Sequence, residues 1–301
     1  MKKISITTRY FQTDFGDRDA IRMAAESGAD AIDFDLCGCS CEKPNSPYTG
    51  TDAEIEAYYR DLGCYARQLG LEVGQTHGRM TVNRSTPEQD RVLLENARLD
   101  CLATRALGAP VCVMHGVMLK SQGGPDTPDQ QMRDENFRWY CDILKYAKQY
   151  GVKIAVETMG NVVEYGCCEF IARFDEFVAN YERVCAVGDN AKYFTVCVDT
   201  GHAHRAVAYG QPSVGEIIRR LGDRVTVLHL NDNEGVTDQH KMPFNGSIDW
   251  EDVFNALDEI GYTGPYSMEL LWRFYGSELM GDYAAFAVKT LRSALERRSV
   301  K

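Results

Sequence analysis

Residues able to bind a metal recur at the ends of short apolar runs, and this recurrence constrains the fold more than any other feature of the chain. The run ends are His77, His115, Glu157, Asp199, His229 and Glu269, separated by 38, 42, 42, 30 and 40 residues. Intervals of that size fit one strand followed by one helix. A (β/α)8 barrel delivers one polar residue per strand to a shared mouth in this way. Eight β-rich runs, at 3–8, 31–36, 71–76, 110–114, 152–156, 194–198, 225–230 and 265–270, alternate with longer amphipathic segments. In 52–69, for example, Ile55, Tyr58, Tyr59, Leu62, Tyr65 and Ala66 recur with helical spacing. Gly108 and Gly151 stand just ahead of the fourth and fifth runs, where a left-handed residue ends a helix. The predicted fold is α/β, a (β/α)8 TIM barrel forming a single domain over residues 1–301. Its active site is expected at the C-terminal mouth of the strands, on the long segments 37–50, 116–130, 231–247 and 271–281.

Four of the run-end residues, Glu157, Asp199, His229 and Glu269, carry the chemistry. Three ionised carboxylates brought together at buried strand ends repel one another unless a cation sits between them. Three oxygen donors and one imidazole make a fairly hard site, which suits one divalent metal ion: manganese, cobalt or magnesium, with zinc also compatible. The balance of 33 basic and 44 acidic residues gives a formal charge of −11, which disfavours nucleic acid as a partner. No apolar run is long enough to span a bilayer, and the start of the chain lacks the apolar core of a secretory signal. Eleven cysteines, an odd number in a chain of this size, read as reduced thiols and a cytoplasmic location.

Three segments carry a resemblance. They are Val198-Asp199-Thr200-Gly201-His202, then Leu228-His229-Leu230-Asn231-Asp232, then Asp238-Gln239-His240-Lys241-Met242-Pro243 followed by Gly246-Ser247-Ile248-Asp249-Trp250. The chain resembles the xylose isomerase-like barrel superfamily of sugar-phosphate isomerases, epimerases and zinc abasic-site endonucleases, although Phe244 replaces the glycine that follows the proline. The resemblance implies that Glu157, Asp199, His229 and Glu269 form a single-metal ligand set and that His202 contacts a substrate hydroxyl. His77, His115 and His240 are expected around the same substrate, and Trp272 is expected to stack on a sugar face. All nine zinc-ligand positions of the endonucleases are also filled. An alternative cofactor is therefore three zinc ions, with His77, His115, His202, Asp238 and His240 as additional ligands.

The expected function is a metal-dependent sugar or sugar-phosphate isomerase or epimerase, working through a metal-stabilised enediolate with Glu157 and Glu269 as the acid/base pair. The segment 231–238 carries three carboxylates and no lysine or arginine, so an abasic-site phosphodiesterase is the second reading. A C-glycoside lyase or inosose dehydratase, and a sugar-binding barrel without turnover, are further alternatives. Gly235 and Val163 stand where ketose 3-epimerases of the family usually carry an arginine and a glutamate, which weakens that particular assignment. A small-molecule sugar is the expected partner, and the resemblance implies a homodimer or homotetramer. The Cys37, Cys39, Cys41 run and Cys167-Cys168 read as reduced loop thiols, and His204 as a loop or helix-start residue. Trp250 is placed either on a sugar face or in packing beneath the loops. Lys120 and Arg273 are candidate phosphate contacts.

Overall fold

The computed structural model describes residues 2–80 and 82–299; Met1, Thr81, Val300 and Lys301, which the predicted domain limits include, lie outside them. Eight parallel strands form the central sheet: β1 (Ile4–Thr7), β2 (Ala31–Asp35), β3 (Glu72–His77), β4 (Val111–Met114), β5 (Lys153–Glu157), β6 (Phe194–Asp199), β7 (Val225–His229) and β8 (Tyr266–Met268). From β1 to β7 each strand pairs with the next in sequence, and β8 pairs with β1. A short parallel bridge between Leu230 and Met268 closes the ring. All eight expected strands are present, with ends moved by no more than two residues.

Side chains alternate across each strand, and this period of two explains the site. Val111 and Val113, Ala155, Cys197 and Val227 pack against one another as a separate small cluster inside the barrel. The next inward position on each of those strands is His115, Glu157, Asp199 and His229. On β3 and β8 the inward pairs are Gln75 with His77 and Ser267 with Glu269, and all four side chains are buried. Outward residues such as Ile4, Ile6, Ile154 and Val196 join the larger core beneath the helices. Helix starts follow the sequence signals: Thr51 and Glu54 form a reciprocal capping box at the helix Asp52–Gln68.

Beneath the 37–50 segment lies a buried ion pair. The Arg79 guanidinium donates to both Asp100 oxygens, at 2.6 and 2.9 Å, and to the carbonyls of Leu36 and Cys39, at 2.7 and 2.8 Å. Tyr48 adds a hydroxyl bond to Asp100 at 2.8 Å. This network anchors the loop leaving β2. The cysteines of the loop are free, like all eleven in the chain. Among the described residues no helix is long and apolar enough to cross a membrane.

One feature of the mouth was not read from the sequence. After β5 the chain forms a small hairpin, Asn161–Val162 against Cys167–Cys168, which builds one wall of the entrance. Replacing Asp100 with alanine is expected to lower the unfolding free energy by about 3–5 kcal/mol, because it leaves the Arg79 charge buried and unpaired. Urea denaturation of Asp100→Ala checks this.

Candidate metal centre

Glu157, Asp199, His229 and Glu269 converge at the mouth, each offering a ligand atom within 4.8 Å of the others. His229 Nδ1 lies 3.2 Å from Glu157 Oε1 and 3.4 Å from Glu269 Oε2. Its other ring nitrogen, Nε2, is 2.9 Å from Asp33 Oδ2. Asp33 also accepts from Gln75 Nε2 at 3.2 Å. A carboxylate behind a ligating imidazole fixes the tautomer and aims the free nitrogen. Asp33 was missed in the sequence, although the alternation in Ala31-Ile32-Asp33-Phe34-Asp35 turns a buried acid into the lumen.

Asp199 has two tasks. Its Oδ1 caps the helix Thr200–Val207 by accepting from the His202 amide at 2.6 Å, and its Oδ2 accepts from Asn231 Nδ2 at 2.8 Å. The glycine of the Asp-Thr-Gly-His segment is required by packing, since a Cβ on Gly201 would sit 1.9 Å from Asn231 Oδ1. Asp232 organises the following loop by accepting from the amides of Asn233, Gly246 and Ile248 and from Trp250 Nε1. Trp250 therefore belongs to the packing beneath the loops. The loop it secures carries Asp238 and His240.

His202 and His240 converge on Asp238. Their Nε2 atoms are 3.3 and 3.2 Å from the same oxygen, Asp238 Oδ2. Each Nδ1 faces a main-chain carbonyl, that of Thr158 at 3.1 Å and that of Glu269 at 2.8 Å. His202, Asp238 and His240 form a second metal-competent group, and His77, Glu157 and His229 a third. His77 and His115 place Nε2 at 3.4 and 3.0 Å from Glu157 Oε2.

The cluster fits a cation by its unmet bonding. Both Glu157 oxygens, His77 Nε2, His115 Nε2 and His229 Nδ1 are buried without a hydrogen-bond partner among the described residues. Buried polar atoms are seldom left so. Charge follows the same pattern. Burial pushes the Glu157 carboxyl up, but the nearby imidazoles of His229, His115 and His202 outweigh it and hold it well below the usual carboxylate range. Burial pushes the His240 imidazole down, but the Asp238 hydrogen bond and the charges of Glu269, Asp238 and Asp199 raise it to about 9. His202 and His229 are raised well above the usual value against the same opposing burial, by their carboxylate neighbours.

A cavity of about 260 Å³ opens above the cluster, lined by His115, Glu157, His202, Asp238, His240 and Glu269 together with Arg9, Met80, Met118, Met159, Asn161 and Arg205. A larger groove of about 820 Å³ runs beside the 37–50 segment, but the ligating groups share residues with the smaller cavity. Trp272 corrects one expectation. It is fully buried, stacks on Phe11 and donates to the Thr7 carbonyl at 2.9 Å, so it packs β1 against the last loop and presents no face to a sugar. Arg273 is held by Asp14 and is absent from the cavity lining, whereas Lys120 reaches it. His204 lies in the helix and bonds to Ser247 at 2.8 Å, apart from every ligand group. Arg205 was missed, although it sits one helical turn from His202.

The match to known proteins follows this geometry. The profile of the xylose isomerase-like TIM barrel matches residues 21–286. The chain belongs to that family. An uncharacterized protein, y4fM, of Sinorhizobium fredii is 25% identical over 284 residues, covering 85% of this chain and 81% of its own. An inosose isomerase of Halalkalibacterium halodurans is 29% identical over 136 residues, 43% of each chain. Among solved structures, a D-tagatose 3-epimerase-like protein superposes with a TM-score of 0.72 at 20% identity, covering 99% of this chain and 100% of its own. The IOLI protein with a bound zinc atom superposes with a TM-score of 0.72 at 16% identity, over 96% and 95%. Both likenesses concern the fold.

Two outcomes follow. Asp33→Ala, which removes the partner that aims His229, is expected to weaken manganese binding about 10–100-fold, read by competition with a chelating dye. The charged His240 imidazole stabilises the metal-free fold fully below the unfolded value of 6.5, and that contribution is lost as pH rises through about 9. Metal-free protein is therefore expected to lose thermal stability between pH 6.5 and 9, while loading with manganese releases protons, measurable by calorimetry in buffers of different ionisation enthalpy.

Proposed function

We propose that the protein is a divalent-metal-dependent isomerase or epimerase of a ketose or an open-chain aldose. The observation that carries this reading is the division of labour within the ligand cluster. Asp199 and His229 lie behind, and only Glu157 and Glu269 of the four also line the cavity. A cation held by Glu157, Asp199, His229 and Glu269 would polarise a substrate carbonyl and acidify the neighbouring C–H bond.

The residues of the chain do the rest. Glu157 and Glu269 approach the reacting carbon from two strands, so one carboxylate takes the proton and the other supplies one on the opposite face. Return to the same carbon inverts it, and return to the neighbouring carbon exchanges aldose for ketose. His202, with Nδ1 on the Thr158 carbonyl and Nε2 on Asp238, lines the cavity where a substrate hydroxyl would sit. Met80, Met118 and Met159 make the apolar part of the wall and limit access of water to the exchanging proton. The relative named inosose isomerase supports this class of reaction.

A second reading, a zinc phosphodiesterase acting on abasic DNA, is favoured by one observation: the His202, Asp238, His240 group and the His77, Glu157, His229 group adjoin the main cluster. Elemental analysis separates the two, with about one ion per chain expected for the sugar enzyme and three zinc ions for the nuclease. For the proposed chemistry, Glu157→Gln and Glu269→Gln are expected to remain folded while turnover falls at least ~100-fold. Solvent deuterium incorporation into a ketose panel is the readout, and activity near that of the unaltered protein in either variant contradicts the assignment.

A further inference from the structure

We infer that Arg205, supported by Lys120, forms a subsite for an anionic group on the substrate, a carboxylate or a phosphate, so that the sugar turned over is charged and not neutral. This rests on the sugar-converting reading above and narrows its substrate. The starting point is the state of the Arg205 side chain. The residue is 7% exposed and lines the cavity above the ligand cluster. Its Nε is buried without a hydrogen-bond partner. The nearest carboxylate oxygen, Asp238 Oδ1, lies 3.6 Å from Nε, beyond hydrogen-bond distance. A long contact of 3.5 Å joins Nη1 to the Asn161 carbonyl.

Arg84 Nη1 is also buried without a hydrogen-bond partner, so what sets Arg205 apart is the lack of a direct bond to a carboxylate. Arg79 and Arg84 both make direct bonds to carboxylates. A guanidinium has five donors in a rigid fork that matches a carboxylate or phosphate. Leaving the Arg205 Nε donor buried and unmet is costly unless a ligand completes it.

The backbone has been shaped to admit it. A Cβ on Gly160 would meet Arg205 Nη2 at 2.6 Å and Cζ and Nε at 2.9 Å, so the guanidinium lies against a position that only glycine leaves free. Gly160 opens the hairpin segment after β5 and itself lines the cavity. Asn161, the next residue, is 9% exposed with its Oδ1 buried and unpartnered, an acceptor suited to a hydroxyl beside the anion. Lys120 enters the same cavity from the segment after β4, with its ammonium 3.8 Å from Glu164. Carboxylates stand beside both cations, Asp238 by Arg205 and Glu164 by Lys120, and Glu169 lines the same wall, so the anion is drawn to the unmet guanidinium donor of Arg205 and not to a broad positive surface. The substrate is thereby oriented, with its carbonyl toward Glu157 and Glu269 and its charged end toward Arg205.

The test uses the full chain loaded with manganese and three probes: D-glucuronate, D-glucose 6-phosphate and D-glucose. Binding is read by calorimetry, and proton exchange is read separately on D-fructuronate, D-fructose 6-phosphate and D-fructose. At least one charged probe is expected to bind tenfold or more tightly than glucose, the carboxylate and phosphate arms telling which anion the subsite takes. Arg205→Met is expected to erase that preference while retaining manganese affinity, and Gly160→Ala, which displaces the guanidinium without removing it, to reduce it. Equal binding of charged and neutral probes by the unaltered protein overturns the inference, whether or not Arg205→Met folds. A preference that survives both substitutions overturns it as well. The sugar-converting reading fails on a different result, the absence of deuterium incorporation into any of the ketoses.

Discussion

Negative charge concentrated in a barrel mouth governs this molecule. Glu157, Asp199 and Glu269 are all buried or nearly so, and their ligand atoms fall within one small sphere with His229. In surroundings of low dielectric constant such a group does not persist uncompensated. Without metal the compensation comes from imidazoles driven to the charged form, and a bound cation would supply it instead. The strands, caps and loops described here amount to the scaffold that holds this charge in place.

Much of the arrangement was legible in the sequence because a strand has period two. Once Val113, Ala155, Cys197 and Val227 face the lumen, the residues two further on must face the mouth, which fixes His115, Glu157, Asp199 and His229. The Asp-Thr-Gly-His and Gly-Ser-Ile-Asp-Trp segments were legible because they resemble motifs of the family, and the structure supplies the physical reason for them. Their glycines mark backbone that passes too close to Asn231 and Asp232 to admit a Cβ.

What escaped the reading depends on contacts between segments distant in sequence. Asp33 reaches His229 across 196 residues, and Arg205 meets Gly160 and Asn161 only because the hairpin after β5 folds back over the mouth. Trp272 was expected on the substrate, yet its apolar area is satisfied by Phe11 and Tyr283 and its one donor by the Thr7 carbonyl. An aromatic residue near a strand end carries the same sequence signal in either place. Only the orientation of the loop distinguishes them.

In the proposed function the metal ligands and the proton-transfer groups overlap in Glu157 and Glu269, so the position of the cation decides the whole account. Anomalous diffraction from crystals of the manganese-loaded protein tests it most directly. A single strong peak among Glu157, Asp199, His229 and Glu269 is the expected result. A peak confined to the His202, Asp238 and His240 group, with none among those four side chains, contradicts it.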